Sequence, residues 1–326
     1  MILVISNSEF DGHVPPVTAE LSRRGRHFVI YNPATYPDKS SLTLESSSDA
    51  IKAFLSIDDS LIDLSCVTSV WYRRPGDFAL SDKLSPEEDR WLRAECRSLF
   101  QGFWSGEFLP QWVSNPEAIR KASLKAAQLK VAMEMGFTVP RFTITNDVDR
   151  ASRFIASCRQ GTIVKTLGNP SISYPDLNGT IYTHLVSNQD MDLISSVRFG
   201  PTYLQECIKK RMDVRVTVIG EKVFAVGIDS QNFEESSIDF RRSQIYTLPH
   251  HPIELPRNLS RLSIELVGRL GLRFGAIDFI LTPDGDYIFL EINPNGQWYW
   301  LEEITGLPLV AAMCDLLTAG AGFPAG

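Results

Sequence analysis

The sequence has 326 residues and a mass of 36.5 kDa. This length is enough for two or three lobes, because single hydrophobic cores stop growing at about 250 to 300 residues. A hydrophobic content of 44% and a charged content of 22% are those of a folded globular protein and exclude a disordered or fibrous chain. The net charge of -7 and the pI near 5.4 argue against a nucleic-acid partner, which would require a clustered basic surface.

Cysteine usage and hydropathy predict a cytoplasmic protein. The five cysteines are scattered, odd in number and form no metal-ligand or redox spacing, so we expect reduced thiols with structural roles. The N-terminal segment MILVISNSEFD lacks the basic region and the long apolar run of a signal peptide. No stretch approaches the roughly 20 apolar residues of a membrane span, so no membrane partner is expected.

The first third of the chain predicts a small α/β domain, which we place at residues 1–114. Short β-rich runs alternate there with segments of helical spacing. The predicted elements are a strand at 2–6, a helix at 16–24, strands at 28–31 and 67–72 and a helix at 86–104. The first three of these elements form a βαβ unit.

A second segment, which we place at residues 115–200, begins at Asn115-Pro116. Asn is a good N-cap and Pro fits the first helical turn, so we expect one helix from here to Gly136. Turn signals then separate short β-rich runs. The predicted elements are strands at 138–145, 162–166 and 180–184 and a helix at 147–156.

The last segment, residues 201–326, has the clearest pattern. Two hairpins are predicted, one that turns at Gly220-Glu221 and one that turns at residues 282–286, Thr-Pro-Asp-Gly-Asp. The predicted elements are strands at 202–206, 213–219, 222–229, 276–281 and 287–292 and an amphipathic helix at 259–270. His250 and His251 precede a proline, and we expect them to lie in a loop without a catalytic or metal-binding role.

Three oxygen donors lie on the second hairpin. Asp278 is on its first strand, and Glu291 and Asn293 are on the second. Residues two apart on a strand point to the same face, so the three side chains can share one side of the sheet. Two carboxylates and an amide suit Mg²⁺, which completes its octahedron with waters and substrate phosphates. The pattern therefore predicts a metal site that acts on a nucleotide.

A strand aspartate followed by Glu-x-Asn-Pro on the next strand resembles the metal site of the ATP-grasp superfamily. The resemblance implies an α/β (α+β) ATP-grasp fold with an N-terminal pre-ATP-grasp domain and two lobes that enclose ATP. Such proteins hold the ATP phosphates with two lysines, and Lys125 and Lys165 occupy the corresponding places. The implied cofactors are ATP and Mg²⁺, with Mn²⁺ as an alternative metal.

The same resemblance implies contacts for the adenosine part of ATP. The candidate residues of the adenine-binding strand end are Gln205, Glu206, Cys207 and Ile208. Among these, Glu206 and Ile208 are the preferred contacts. Asp213 is the candidate for the ribose hydroxyls, and an ion pair with Arg215 is the alternative use of its carboxylate.

Arginines are assigned to the triphosphate and to the acyl phosphate that develops during the reaction. Their planar guanidinium groups match phosphate and carboxylate oxygens bidentately. Arg215 and Arg241 are the catalytic candidates, with Arg242 as the rival to Arg241, and the preceding SQNFEESS resembles the mobile loop of RimK-type ligases. Gly168 and Gly179 bracket a candidate flap over the phosphates.

Further stretches resemble the microviridin and graspetide peptide ligases. They are residues 71–75, 115–116, 125–128 and 294–309. The resemblance implies that an Asp or Glu side chain of a precursor peptide is phosphorylated and then joined to a Ser or Thr hydroxyl or a Lys amine, which gives an ω-ester or ω-amide macrocycle. The implied partner is a precursor peptide with a leader and an acidic core, and such relatives are commonly homodimers.

Two alternatives remain open. A RimK-like or dipeptide-type ligase would keep the same ATP site and add a free amino acid. A non-catalytic nucleotide-binding protein would keep the fold without turnover. Arg73 and Arg74 either bind acidic substrate side chains or form a domain contact, while the aromatic run 298–300 favours packing over a substrate entrance.

Overall fold

The computed structural model describes residues 1–7, 9–58, 60–105, 108–168, 170–174, 177–243 and 245–319. In this part of the chain the strands form five separate sheets, with α-helices between them. None of the helices in these ranges is both long and apolar enough to cross a membrane. All five cysteines are free, as expected, and three of them are buried.

The N-terminal part is built on a parallel sheet with the strand order β2-β1-β6-β7. Its elements are β1 (Ile2–Ile5), α1 (Val14–Arg23), β2 (Phe28–Tyr31), β3 (Ser40–Ser46), β4 (Ile51–Ile57), β5 (Ser60–Asp63), β6 (Ser69–Tyr72), α2 (Pro86–Trp104) and β7 (Trp112–Val113). Every residue of β1 is buried, which is typical of a parallel strand covered on both faces. The predicted βαβ opening is confirmed. So is the long helix α2, which begins with a capping box formed by Ser85 and Glu88.

An antiparallel sheet of β3, β4 and β5 was not predicted. The signal was partial, because only Leu42 is buried between exposed neighbours, while Ala53 and Leu55 lie on either side of a partly buried residue. These three residues pack on the same core as Leu3 and Ile5 of β1. The sheet therefore extends the N-terminal domain without touching the cavity described below.

The central part contains a small antiparallel sheet with the order β12-β9-β13-β8. Its elements are α3 (Pro116–Ala122), α4 (Lys125–Glu134), β8 (Phe142–Thr145), α5 (Val148–Ser157), β9 (Thr162–Lys165), β10 (Ser171–Tyr174), β11 (Leu177–Thr180), β12 (His184–Leu185), α6 (Asn188–Met191) and β13 (Thr202–Glu206). The predicted single strand at 180–184 is wrong, because β11 forms a hairpin with β10 whereas β12 pairs with β9. Residues 181–183 connect two different sheets.

The predicted single helix from Asn115 to Gly136 is also wrong. Leu124 has extended dihedral angles, φ -76° and ψ 107°, and separates α3 from α4. Asn115 caps α3 as expected, by accepting a hydrogen bond from the N–H of Glu117. The break makes Lys125 the first residue of α4.

Gln128 fixes this break against the C-terminal sheet. Its Nε2 donates to the carbonyl oxygens of Ala122 and Ile292, and its Oε1 accepts a hydrogen bond from the N–H of Ile292 at 3.3 Å. The side chain is buried, so these bonds replace water completely. The helix that begins with Lys125 is therefore tied directly to the strand that carries Glu291.

The C-terminal part is a five-stranded antiparallel sheet with the order β16-β15-β14-β17-β18. Its elements are β14 (Met212–Ile219), β15 (Lys222–Ile228), β16 (His250–Pro252), α7 (Arg257–Arg269), β17 (Phe274–Leu281), β18 (Tyr287–Asn293), α8 (Tyr299–Thr305) and α9 (Leu309–Thr318). Both predicted hairpins and the amphipathic helix are confirmed. The loop expected at His250 and His251 is instead strand β16, which pairs with β15.

The N-terminal sheet packs on the last two helices of the chain. Buried side chains of β1 and α1 share one core with Trp298, with Leu301 of α8 and with the apolar residues of α9. Each fully buried aliphatic side chain contributes about 1.5 to 3 kcal/mol relative to an exposed one. Trp298 is fully buried in this core, as the packing interpretation of the aromatic run predicted.

Candidate active site

A cavity of about 550 Å³ lies between the central sheet and the C-terminal sheet. Its size is in the range of small-molecule sites, which span roughly 300 to 1,000 Å³. The predicted site residues that line it are Lys125, Lys165, Gln205, Cys207, Ile208, Asp213, Arg215, Arg241, Asp278, Glu291 and Asn293. Residues predicted from five separate stretches of the sequence are thus brought to one place.

The metal candidates lie on the C-terminal sheet side of this cavity. Asp278 of β17 is directly opposite Glu291 of β18, and Asn293 follows two residues later on the same strand. A register irregularity between Asp278 and Phe279 interrupts the pairing at this point. Hard oxygen donors on facing strands are a suitable ligand set for Mg²⁺.

Each of the two carboxylates is paired with a cation of the protein. Arg215 lies opposite Asp278 on the neighbouring strand, and its Nη1 donates to both carboxylate oxygens at 2.8 and 2.9 Å. The Lys125 amine forms an ion pair with Glu291. The carboxylates and the phosphate-binding candidates are therefore immediate neighbours.

Lys165 differs from Arg215 and Lys125 in its surroundings. Among the residues that the structure describes, no carboxylate lies within ion-pair distance of its amine, which points into the cavity as its β-branched strand predicted. Burial lowers the pKa of Lys165 to about 8, and Asp278 only partly opposes that effect. Burial, together with the charge of Lys165, lowers the pKa of Lys125 to about 7. The site thus holds more positive charge than the protein neutralises.

The end of β13 forms another wall. Gln205, Cys207 and Ile208 line the cavity, whereas the side chain of Glu206 lies outside it, within 4.0 Å of Arg141. Glu206 points away because side chains alternate along a strand. The buried Nε2 of Gln205 has no hydrogen-bond partner in the described part of the chain, so it is a donor that a ligand could use.

Asp213 is buried beside this wall. Its carboxylate accepts hydrogen bonds from Lys210 at 2.8 and 3.1 Å and from Ser230, and not from Arg215 as the alternative held. Burial raises the pKa of Asp213. Lys210 also lines the cavity and was missed, although its position three residues before Asp213 was a signal for pairing.

Arg241 and Arg242 differ in position. Arg241 lines the cavity and donates to both carboxylate oxygens of Asp239 at 2.8 and 2.6 Å. Arg242 donates to the carbonyl oxygen of Thr183 and lies over the ring of Tyr182. Asp239, which the sequence analysis did not single out, also accepts from the N–H of Thr183 and thus anchors Arg241.

The remaining predicted features are distributed around the site. Gly168 lines the cavity, but part of the candidate flap lies outside the described residues. Trp300 lines the cavity as well, in contrast to the buried Trp298. Arg73 is buried and Arg74 is exposed, so Arg73 forms a domain contact and does not line the cavity.

A cavity between two antiparallel sheets, with facing carboxylates on one side and a cluster of cations around them, defines an ATP-grasp enzyme. Residues 122–317 match the RimK-like ATP-grasp domain, and residues 1–120 match the MvdD pre-ATP grasp domain. The chain belongs to the RimK-like ATP-grasp family and is an ATP-grasp ligase. The predicted fold is thereby confirmed.

Solved structures of similar proteins cover nearly the whole chain. An ATP-grasp ligase associated with ribosomal peptides from Chryseobacterium gregarium, in complex with ADP and a leader and core peptide, is 27% identical with a TM-score of 0.89, over 97% of this chain and 96% of that chain. The macrocyclase MdnC from Microcystis aeruginosa MRC, bound to the precursor peptide MdnA, is 26% identical with a TM-score of 0.84, over 97% and 98%. The macrocyclase MdnB from the same strain is 28% identical with a TM-score of 0.80, over 98% and 99%. Curated proteins gave no match.

Proposed function

We propose that this protein is an ATP-dependent maturase that joins an Asp or Glu side chain of a ribosomal precursor peptide to a Ser or Thr hydroxyl or a Lys amine. The observation that carries the proposal is the pairing of Asp278 with Glu291 across two strands, at the edge of a cavity rich in cations. A peptide substrate is supported by two of the similar structures, which contain leader, core or precursor peptides. The product class is an ω-ester or ω-amide macrocycle.

Asp278, Glu291 and Asn293 would hold Mg²⁺, or Mn²⁺ in its place. The metal would supply charge neutralisation and orientation for the phosphates of ATP. Arg215 and Lys125, which share the two carboxylates, lie within the same cavity and would contact those phosphates together with Lys165. Arg241 is assigned to the acyl phosphate, because Asp239 holds its guanidinium at the cavity wall.

The other end of the cavity would take the nucleoside. Gln205, Cys207 and Ile208 line this part of the cavity and would contact adenine, whereas Glu206 would contribute through its backbone alone. Asp213, already bonded to Lys210, is the candidate for the ribose hydroxyls. Asp213 lies two residues before Arg215 on β14, so the ribose site would lie next to the phosphate site.

Chemistry of this kind depends on charge and on position. A carboxylate is a poor electrophile until ATP converts it to an acyl phosphate, and the neighbouring cations stabilise the charge that develops. A nucleophile held next to that group gains effective concentration worth roughly 7 to 11 kcal/mol in favourable cases.

We place this function in the cytoplasm, with an acidic peptide core as substrate and a homodimer as the assembly. We also propose 1–114, 115–200 and 201–326 as the domains, with β13 of the third completing the sheet of the second.

The test is to incubate the protein with ATP, Mg²⁺ and a small acidic precursor peptide encoded beside its gene, and to measure the peptide mass. We expect the loss of one water per bond, absent in Asp278→Ala and Glu291→Ala and retained in Asp284→Asn, an exposed residue in the turn of the same hairpin. A mass gain would instead indicate a ligase that adds a free amino acid. An unchanged peptide with no ADP formed would contradict the proposal and leave a non-catalytic nucleotide-binding protein.

A further inference from the structure

A buried charged cluster lies where the N-terminal sheet meets the end of β18. It consists of Asp11, His13 and Arg73, whose side chains are 1%, 4% and 1% exposed. Arg73 Nε donates to Asp11 Oδ2 at 3.0 Å, and His13 Nδ1 lies 2.7 Å from Asp11 Oδ1. Burial alone would raise the pKa of Asp11, but the hydrogen bond with His13 and the charge of Arg73 lower it well below its usual range. The cluster is therefore an ion pair that is sealed from solvent.

This cluster holds the segment that follows the metal candidates, residues 294–298, which we call the metal-site loop. Arg73 Nη1 donates to Asn295 Oδ1 at 2.7 Å, and the Asn295 amide donates in return to the backbone oxygen of Arg73. His13 Nε2 accepts a hydrogen bond from the N–H of Trp298 at 2.9 Å. Arg73 Nη1 also donates to the carbonyl oxygen of Gly296 at 3.3 Å, so the N-terminal domain holds the loop at three of its residues.

The other side of the metal-site loop contacts the cavity. Arg215 Nη2 donates to the carbonyl oxygen of Gln297 at 2.9 Å, while its Nη1 holds Asp278. The N–H of Asn295 donates to Asn293 Oδ1 at 3.2 Å. The loop therefore contacts one metal candidate directly and reaches a second through Arg215.

Close packing leaves the metal-site loop little freedom. A Cβ atom placed on Gly296 would lie 2.9 Å from the Cβ of Ala276 and 2.9 Å from Arg215 Nη2. Both distances are below van der Waals contact, so only glycine allows the loop to lie this near to β17. A shift of the loop would be transmitted to the residues it touches.

We propose that Arg73 is a positioning residue, which fixes the metal-site loop and through it Asn293 and Arg215 for Mg²⁺-dependent nucleotide binding. This inference rests on the proposed function. A buried ion pair adds little stability compared with packed apolar residues, so stability alone is a weak reason to place one here. The planar fork of arginine bonds Asp11 and Asn295 at the same time, which a lysine amine cannot reproduce with the same geometry.

The experiment measures the affinity of ADP by calorimetry in excess Mg²⁺ and, separately, in EDTA. In Arg73→Met we expect the affinity with Mg²⁺ to fall by about tenfold or more, as for other residues that orient metal ligands. The affinity in EDTA should fall by less, because without metal only the position of Arg215 matters and Asp278 still holds its guanidinium. Arg73→Lys should lie between wild type and Arg73→Met.

Asn295→Ala removes the same contact from the other side and leaves the Asp11–Arg73 pair intact. It provides the test should Arg73→Met fail to fold. In the double variant the two losses should not add, because both remove one interaction. The matched control is Arg24→Met, which breaks an ion pair that joins α1 to Asp315 of α9, away from the metal-site loop.

Equal loss of ADP affinity with Mg²⁺ and in EDTA, or no loss in Arg73→Met and Asn295→Ala, would overturn the inference alone. The same loss in Arg24→Met would also overturn it, because any weakened domain contact would then suffice. If the wild-type protein binds no ADP under either condition, the proposed function itself fails and the inference falls with it.

Discussion

Two charged clusters in this protein each contain an arginine paired with an aspartate but differ in how completely the protein satisfies their charges. At the domain boundary, Arg73 is bonded to Asp11 and Asn295, and the ion pair is sealed from solvent. In the cavity, Arg215 and Lys125 form ion pairs with carboxylates that also face the open space of the cavity. Lys165 has no ion-pair partner in the described residues.

The first cluster has its charges compensated within the protein, whereas the second has cations that a bound anion could still compensate. A closed ion pair has its partners within the protein, so changing one member leaves a buried charge unpaired and costs about 3 to 5 kcal/mol of stability. The cavity lysines have pKa values of about 7 and 8, which means that the folded protein disfavours their charge until an anion arrives. Both clusters are therefore expected to affect function, the second by contacting the ligand directly and the first by holding the fold and the metal-site loop.

The largest expected effect comes from Arg241, the one of the two adjacent arginines that lines the cavity. Arg241→Met should lower the rate of ADP formation by about 10²- to 10³-fold, because it removes a charged donor held in place by Asp239. Arg242→Met should have a much smaller effect, since Arg242 lies outside the cavity. Steady-state kinetics on both variants, with thermal unfolding as the stability control, checks this. A greater loss in Arg242→Met would reverse the assignment.

An intermediate effect is expected from pH. Since the pKa values of Lys165 and Lys125 are lowered to about 8 and 7, both amines are charged at pH 6 and largely neutral at pH 9. Affinity for ADP in EDTA should therefore fall across this range, by about tenfold for each charged hydrogen bond lost. Lys165→Met should reduce this pH dependence, whereas Lys130→Met, which breaks an exposed pair on α4, should retain it. A flat profile in the wild type would show that the cavity cations do not bind the phosphates.

The smallest effect is expected from Cys207→Ala. The side chain of Cys207 lines the cavity, but a thiol is a weak hydrogen-bond donor, so Cys207→Ala should change ADP affinity by no more than about twofold. Cys207→Trp should abolish binding by filling the space next to Ile208. Calorimetry with ADP distinguishes the two variants. Normal binding by Cys207→Trp would place the nucleoside elsewhere in the cavity.

The hairpin that carries the metal candidates could be predicted from sequence, but the exact pairing of those candidates could not. The short turn at residues 282–286 fixes the register of β17 and β18 as far as Phe279, which lies opposite Phe289. Asp278 lies opposite Glu291 only because of the irregularity that follows, which the sequence did not indicate. Lys165 could also be placed, because a lysine at the end of a β-branched strand has few alternatives to a cleft.

Features that depend on contacts between distant segments could not be predicted. The pairing of Arg215 with Asp278 requires the position of β14 beside β17, which no local pattern specifies. The break before Lys125 depends on Gln128, whose partners are on β18. Glu206 points away from the cavity because side chains alternate along the strand and its neighbours face the cavity. The sequence alone did not show which of the alternating residues face it.

The contacts of Gln128 also bear on how the molecule behaves in a crowded solution. Strand β18 is at the edge of the five-stranded sheet, and an open edge can pair with a strand of another molecule. Gln128 uses both backbone groups of Ile292, and the carbonyl oxygen of Thr138 accepts the N–H of Phe289. These backbone groups of β18 are therefore not available to pair with a strand of another molecule. Gln128 thus both positions Lys125 and protects this edge of the sheet from aggregation.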